Sequence, residues 1–212
     1  MITAGADEAG RGCVLGPLVL CIAACPREAE ARLKALGARD SKLLSPSSRE
    51  RIARHIRSLC GLTIIKITAR ELNSLMKKHS LNEIEAMRLG EALNGVKCDE
   101  VFIDSPDPQP EKFAKRIRRY YRGSARIMCE NRADAKYVVV GAASIIAKVE
   151  RDADIEKIKR ELGHDFGSGY SSDPRTMAFL KENWQRPAVR KYLRSEWETV
   201  GRLRQKKLTD EY

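Results

Sequence analysis

Strand-like and helix-like segments alternate along nearly the whole 212-residue chain, which restricts the fold to helices layered on a sheet. Ser45-Pro46 supplies an N-cap followed by proline at the first helical position. Ile52, Ile56 and Leu59 then share one helix face until Gly61, and 62–67 reads as a strand. Thr68 with Glu71, and Ser80 with Glu83, form two capping-box patterns that start further helices. The apolar 101–103 predicts a short strand ending at Asp104, followed by the breaker Ser105-Pro106-Asp107-Pro108. Phe113, Ile117 and Tyr120 mark the next helix, and 126–130 the next strand. Val138, Ala142, Ile145 and Val149 recur at helical spacing, so a helix is expected to about Leu162 despite the Val138-Val139-Val140 triplet. Residues 14–24, apolar apart from Gly16 and Pro17, predict a strand covered on both faces. Beyond Gly163 comes a turn-rich loop, with Asp173-Pro174 as a helix cap. A further helix is expected from Pro187, carrying Val189, Leu193, Trp197, Val200 and Leu203. The expected organisation is an α/β core over 1–165 and a small helical appendage over 166–212.

Composition narrows the partners. Forty Lys and Arg against 29 Asp and Glu give a net charge of +11, which favours a polyanion, nucleic acid before anionic lipid. Between 112 and 129 there are seven basic residues and no acidic one. Hydrophobic and charged contents of 42% and 33% exclude a disordered chain and a membrane-embedded one. The opening residues are acidic where a signal peptide needs bases, and the apolar run 13–25 is too short to span a bilayer. The six cysteines form no C-x-x-C pair, and His55, His79 and His164 stand near none of them. Thiols in a reducing, cytoplasmic setting are therefore expected rather than a zinc site or disulfides.

In so basic a chain the informative residues are acids. Asp7-Glu8 follows a short first strand, Asp104 ends another, and Asp134 follows a third. If those strands are neighbours, their carboxylates converge at one end of a sheet, and a divalent cation is the usual relief of their repulsion. An all-oxygen site suits Mg²⁺ or Mn²⁺, whereas zinc favours His or Cys. Spacing alone leaves open a second reading, in which each acid is only a cap or a solvated surface group. Adjacent residues on a regular strand point to opposite faces, so Asp7 and Glu8 share a site only if the strand ends or bulges there.

Five motifs in order resemble the ribonuclease HII family. They are Gly5-Ala6-Asp7-Glu8-Ala9-Gly10-Arg11-Gly12; Asp40-Ser41-Lys42-Leu43; Phe102-Ile103-Asp104-Ser105; Ala133-Asp134-Ala135-Lys136-Tyr137 running on through Ser144, Lys148 and Arg151-Asp152; and Gly167-Ser168-Gly169-Tyr170 with Ser172-Asp173-Pro174. The chain, without an N-terminal extension before the first motif, looks like the archaeal branch. The resemblance implies a ribonuclease H-like mixed β-sheet flanked by helices, with a small helical C-terminal domain. It implies that Asp7, Glu8, Asp104 and Asp134 are both the catalytic residues and the ligands of a divalent metal, Mn²⁺ or Mg²⁺, with Asp7 bridging two ions. Gly10, Arg11 and Gly12 would contact the ribonucleotide 2′-hydroxyl, the group that separates RNA from DNA. Tyr170 would pack on the following deoxyribose, and Lys42, Ser144 and Lys148 would bind phosphates. The implied activity is endonucleolytic cleavage of the RNA strand of RNA–DNA hybrids and 5′ of ribonucleotides embedded in duplex DNA, leaving 3′-hydroxyl and 5′-phosphate ends, by a monomer.

Asp152, about 18 Å along the helix from Val140 at about 1.5 Å per residue, is read as structural. Two positions depart from the family pattern. Ser171 stands where proline is frequent, and the C-terminus, with Gln205, Leu208 and Tyr212, half resembles a sliding-clamp-binding motif in which Glu211 replaces an aromatic. Two rival readings remain: another ribonuclease H-like nuclease with no 2′-hydroxyl reader, and a non-catalytic nucleic-acid-binding protein.

Overall fold

The computed structural model describes residues 1–38 and 44–210. The segment with Lys42, and Tyr212, lie outside the described residues. The chain forms two compact units. One takes in 1–9, 19–65 and 80–150, the other 10–18, 66–79 and 151–212.

The first unit holds a five-stranded sheet. Its strands are β1 (Ile2–Ala9), β2 (Leu18–Pro26), β3 (Gly61–Ile67), β4 (Glu100–Asp104) and β5 (Arg126–Glu130), in the spatial order β3-β2-β1-β4-β5. β1 runs antiparallel to β2 and parallel to β4, and β4 runs parallel to β5. Helices α1 (Glu30–Ala35), α2 (Pro46–Leu59), α4 (Leu81–Leu93), α5 (Pro110–Arg118), α6 (Ala133–Lys136) and the longest, α7 (Val138–Leu162), accompany it. The expected α/β class with a mixed sheet is what the chain adopts. Ser45 caps α2 through its Oγ, which accepts from the Ser48 N–H at 3.2 Å, and Ile52 and Ile56 face the core as their spacing predicts.

The valine triplet is helical because of what surrounds it. From Val138 to Ala147 the residues of α7 are buried almost without exception, and a helix wrapped in core on all sides overrides the β preference of branched side chains. Gly5 allows the approach. A Cβ there would lie 2.2 Å from the Val139 carbonyl carbon, so β1 and the start of α7 meet backbone to backbone.

The second unit contains α3 (Ala69–Leu75), α8 (Pro174–Asn183), α9 (Pro187–Arg190), α10 (Glu198–Asp210) and the part of α7 from Arg151 onward. Its core is built on Val14, Leu15, Phe166, Leu180 and Leu193. Thr68 and Glu71 form the predicted reciprocal capping box on α3, and Asp173 caps α8.

Three local expectations are corrected. The apolar run 14–24 is not one strand. Gly16, at φ +93°, breaks it, and Leu15 pairs instead with Leu193 in an isolated bridge while β2 starts at Leu18. The helix expected to run from Pro187 through Leu203 is two, α9 and α10. Between them the chain opens out, and the Arg194 N–H donates to the Val14 carbonyl at 2.9 Å. At α4, Ser80 caps as expected, but Glu83 gives its carboxylate to the Tyr120 hydroxyl at 2.8 Å and to Arg116 at 3.4 Å. Tertiary partners there displace the local return bond.

Candidate active site

Parallel pairing of β1 with β4 aligns Ala6 with Ile103. One step further along the two strands stand Asp7 and Asp104, at the C-terminal ends of adjacent parallel strands. Asp104 Oδ1 accepts the Ala133 N–H at 2.7 Å, which fastens the end of β4 to the first turn of α6. That turn is entered through Arg132 in the left-handed region at φ 59° and carries Asp134, only 5% exposed.

Asp7 is 7% exposed, and its carboxyl is held above the usual carboxylate range chiefly by burial. A hydrogen bond from Ser144, the charge of Lys148 and the Glu8 amide oppose that rise, while the neighbouring charge of Asp134 adds to it. The Glu8 N–H reaches Asp7 Oδ1 at 2.7 Å. Lys148 Nζ donates to Ser144 Oγ at 2.6 Å, so Ser144 and Lys148, on successive turns of α7, join Asp7 in one polar chain. β1 keeps regular pairing with β2 as far as Ala9 opposite Val19. No bulge turns Glu8 to the face of Asp7, and Glu8 sits half-buried beside it.

The donors grouped here are carboxylate oxygens, which fit a hard divalent cation. A buried acid whose charged form burial disfavours, next to a second acid, is also the electrostatic setting that a cation relieves. Among the described residues, no three His, Cys, Asp or Glu side chains converge closely enough to form a ligand shell by themselves.

The second unit carries the other group of expected residues. Gly10 takes φ +83°, and a Cβ there would lie 2.8 Å from the Pro17 carbonyl oxygen, so the turn requires glycine at this position. Gly12 is different. Its φ is not in the left-handed region, and a Cβ would meet nothing nearer than the Tyr170 ring at 3.7 Å. The fold has room for a side chain at Gly12. Tyr170 packs against this turn and pairs with Cys13 in an isolated bridge, and burial pushes its hydroxyl pKa up. The Arg151 guanidinium lies 4.9 Å from the Tyr170 ring centre and donates to the Ser168 carbonyl at 2.8 Å. Asp152 pairs with Arg151 at 3.0 Å.

Sequence reasoning missed the roles of Arg151 and Arg194. Arg151 had a signal in its place beside Asp152 within a motif. Arg194 had none, because its value lies in backbone carbonyls distant along the chain.

The sheet, with acids at the ends of its central parallel strands and a long buried helix against it, defines a ribonuclease H-like α/β protein. The ribonuclease HII family model matches residues 4–200. A ribonuclease HII from Archaeoglobus fulgidus is 44% identical over 207 residues, covering 98% of each chain. The crystal structure of the ribonuclease H2 from Pyrococcus horikoshii OT3 superposes with a TM-score of 0.86 at 39% identity, over 97% of this chain and 98% of that one. Another, the structure of a PCNA:RNase HII complex from A. fulgidus, matches with a TM-score of 0.86 at 42% identity, over 93% and 95%. The chain belongs to the ribonuclease HII family.

Proposed function

We propose that this chain is a divalent-cation-dependent endonuclease that hydrolyses the RNA strand of RNA–DNA hybrids and cuts 5′ of ribonucleotides embedded in duplex DNA, leaving 3′-hydroxyl and 5′-phosphate ends. The observation that carries this reading is the buried Asp7 on the central strand, one position beyond the last β1–β4 pair as Asp104 is on β4, with the charge of Asp134 nearby, in a chain of this family. In this reading Asp7, Asp104 and Asp134 would hold the metal, Mn²⁺ or Mg²⁺, and Glu8, which the regular register of β1 does not turn to the face of Asp7, would join them only by the reach of its longer side chain. A divalent cation bound there supplies charge neutralisation at the scissile phosphate and an activated water.

The remaining roles fall to the chain's own groups. Lys148 would offer its ammonium to phosphate oxygens, and Ser144, fully buried, orients it through their mutual bond. Lys42 adds a further phosphate contact. The main chain of Gly10, Arg11 and Gly12 meets the 2′-hydroxyl, a role supported by the sterically unneeded glycine at 12. Tyr170 packs on the next sugar, and residues 166–212 serve substrate binding.

The test is cleavage of a DNA duplex carrying one ribonucleotide, alongside the same duplex without it, with and without Mn²⁺ or Mg²⁺. The expected result is one cut 5′ of the ribonucleotide, only with the cation, and none after Asp7→Asn or Asp104→Asn. Equal cutting of the all-DNA duplex would favour a nuclease lacking a ribose reader, and metal-independent binding without cleavage would favour a binding protein.

A sliding clamp is a second partner in this reading. The matching A. fulgidus structure is of a PCNA:RNase HII complex, and here Gln205 is exposed on α10, with Leu208 and Tyr212 beyond it in the half-matching motif. Titration with the cognate clamp should show binding that Tyr212→Ala weakens; binding indifferent to that change rules out this contact.

A further inference from the structure

Arg194 is fully buried, an unusual place for a guanidinium, which costs stability inside a protein unless its donors are used. Two of its three nitrogens donate to the glycine turn. Nε donates to the Gly16 carbonyl at 3.0 Å, and Nη1 donates to the Arg11 carbonyl at 3.0 Å. The same guanidinium lies 4.8 Å from the Trp197 ring centre, which limits its rotation. The surrounding backbone adds to the clamp. The Gly16 N–H donates to the Tyr192 carbonyl at 3.0 Å and the Val14 N–H to the Gly169 carbonyl at 2.8 Å.

The bond to Arg11 has a directional consequence. The Arg11 carbonyl and the Gly12 N–H belong to one peptide group, which is planar and trans, so the two point in opposite directions. Whatever fixes the carbonyl inward aims the N–H outward. Gly12 is exposed, and its N–H donates to no atom among the described residues. With no Cβ at that residue, a ligand oxygen can reach the amide closely.

We infer that Arg194 is a positioning residue for ribonucleotide discrimination: buried behind the turn, it locks the Arg11–Gly12 peptide so that the Gly12 N–H faces the 2′-hydroxyl. This rests on the reading of Gly10–Gly12 as the ribose-sensing turn. Arg194 touches no substrate; it acts through one peptide group.

The test is binding with divalent ions chelated, so that nothing is cut. Dissociation constants are measured for a duplex with one embedded ribonucleotide and for the matching all-DNA duplex, with the wild-type chain, Arg194→Met and Arg194→Lys. Methionine fills much of the volume but donates nothing, and lysine keeps the charge and reaches one carbonyl. The expected result is a wild-type preference for the ribonucleotide that falls by up to about ten-fold in Arg194→Met, the scale of losing one amide hydrogen bond to the hydroxyl. All-DNA affinity should stay within about two-fold in each folded variant, as expected if the phosphate contacts that dominate affinity are untouched, with partial recovery in Arg194→Lys. A purely structural role would instead weaken both duplexes together. A preference that survives in both variants, or an equal loss for both duplexes in Arg194→Lys, overturns the inference. A wild-type chain with no preference at all contradicts the reading of the turn itself, and the inference with it.

Discussion

At the residue scale, Asp7 shows how a buried acid costs stability. Burial raises its folded-state pKa above the ordinary 3.8, so its contribution to stability is fully present below that ordinary value and is lost as pH rises through the raised one. Without a cation, holding Asp7 in its charged form is a cost the fold carries. Asp7→Asn, measured by thermal melting in chelator at pH 7, should therefore raise the melting temperature while cleavage disappears. A lower melting temperature would mean that the bonds to Ser144 and Glu8 outweigh desolvation. That Asp7 and Asp104 lie on neighbouring strands, with Asp134 just beyond a third, was legible because motif and strand pattern agreed. The link from Lys148 through Ser144 to Asp7 was not, since sequence shows two polar residues on one helix face but not which way that face turns. Glu8 illustrates the opposite limit. The spacing posed the question of a bulge, and only the register with β2 answers that β1 runs on regularly to Ala9.

At the element scale, the position of Asp7 depends on how closely β1 and α7 approach. Gly5 lies two residues before Asp7, on the same face by strand periodicity, and its missing side chain is what lets the Val139–Val140 backbone reach the strand. Gly5→Ala forces a shift of strand or helix and should cost roughly 1–3 kcal/mol as an overpacking substitution, read from chemical denaturation. Cleavage should fall with it, because Ser144 and Lys148 move with α7 relative to Asp7. Unchanged stability would show that the contact is slack. The helices with strong caps and one apolar face were readable from sequence, as α2 and α3 demonstrate. The failures came where distant partners set the outcome. Leu15 left the apolar run to pair with Leu193, and Arg194 interrupted what looked like a continuous helix because its backbone and side chain both serve the 11–16 segment.

At the scale of the whole molecule, the two compact units are discontinuous in sequence. Short segments at 10–18 and 66–79 fold with the C-terminal third, and no composition shift marks their edges because each is a few residues inside a longer apolar or capped stretch. What the chain did declare was its class. Alternating elements gave the α/β architecture, net positive charge pointed to a polyanion, and five ordered motifs pointed to one family. Acids far apart in sequence are expected to hold a hard cation. Anomalous diffraction from crystals of the intact chain soaked in Mn²⁺ tests that expectation directly. A manganese peak bounded by Asp7, Asp104 and Asp134, and lost in Asp7→Asn crystals, is the predicted result; ordered carboxylates with no peak among them would contradict the account.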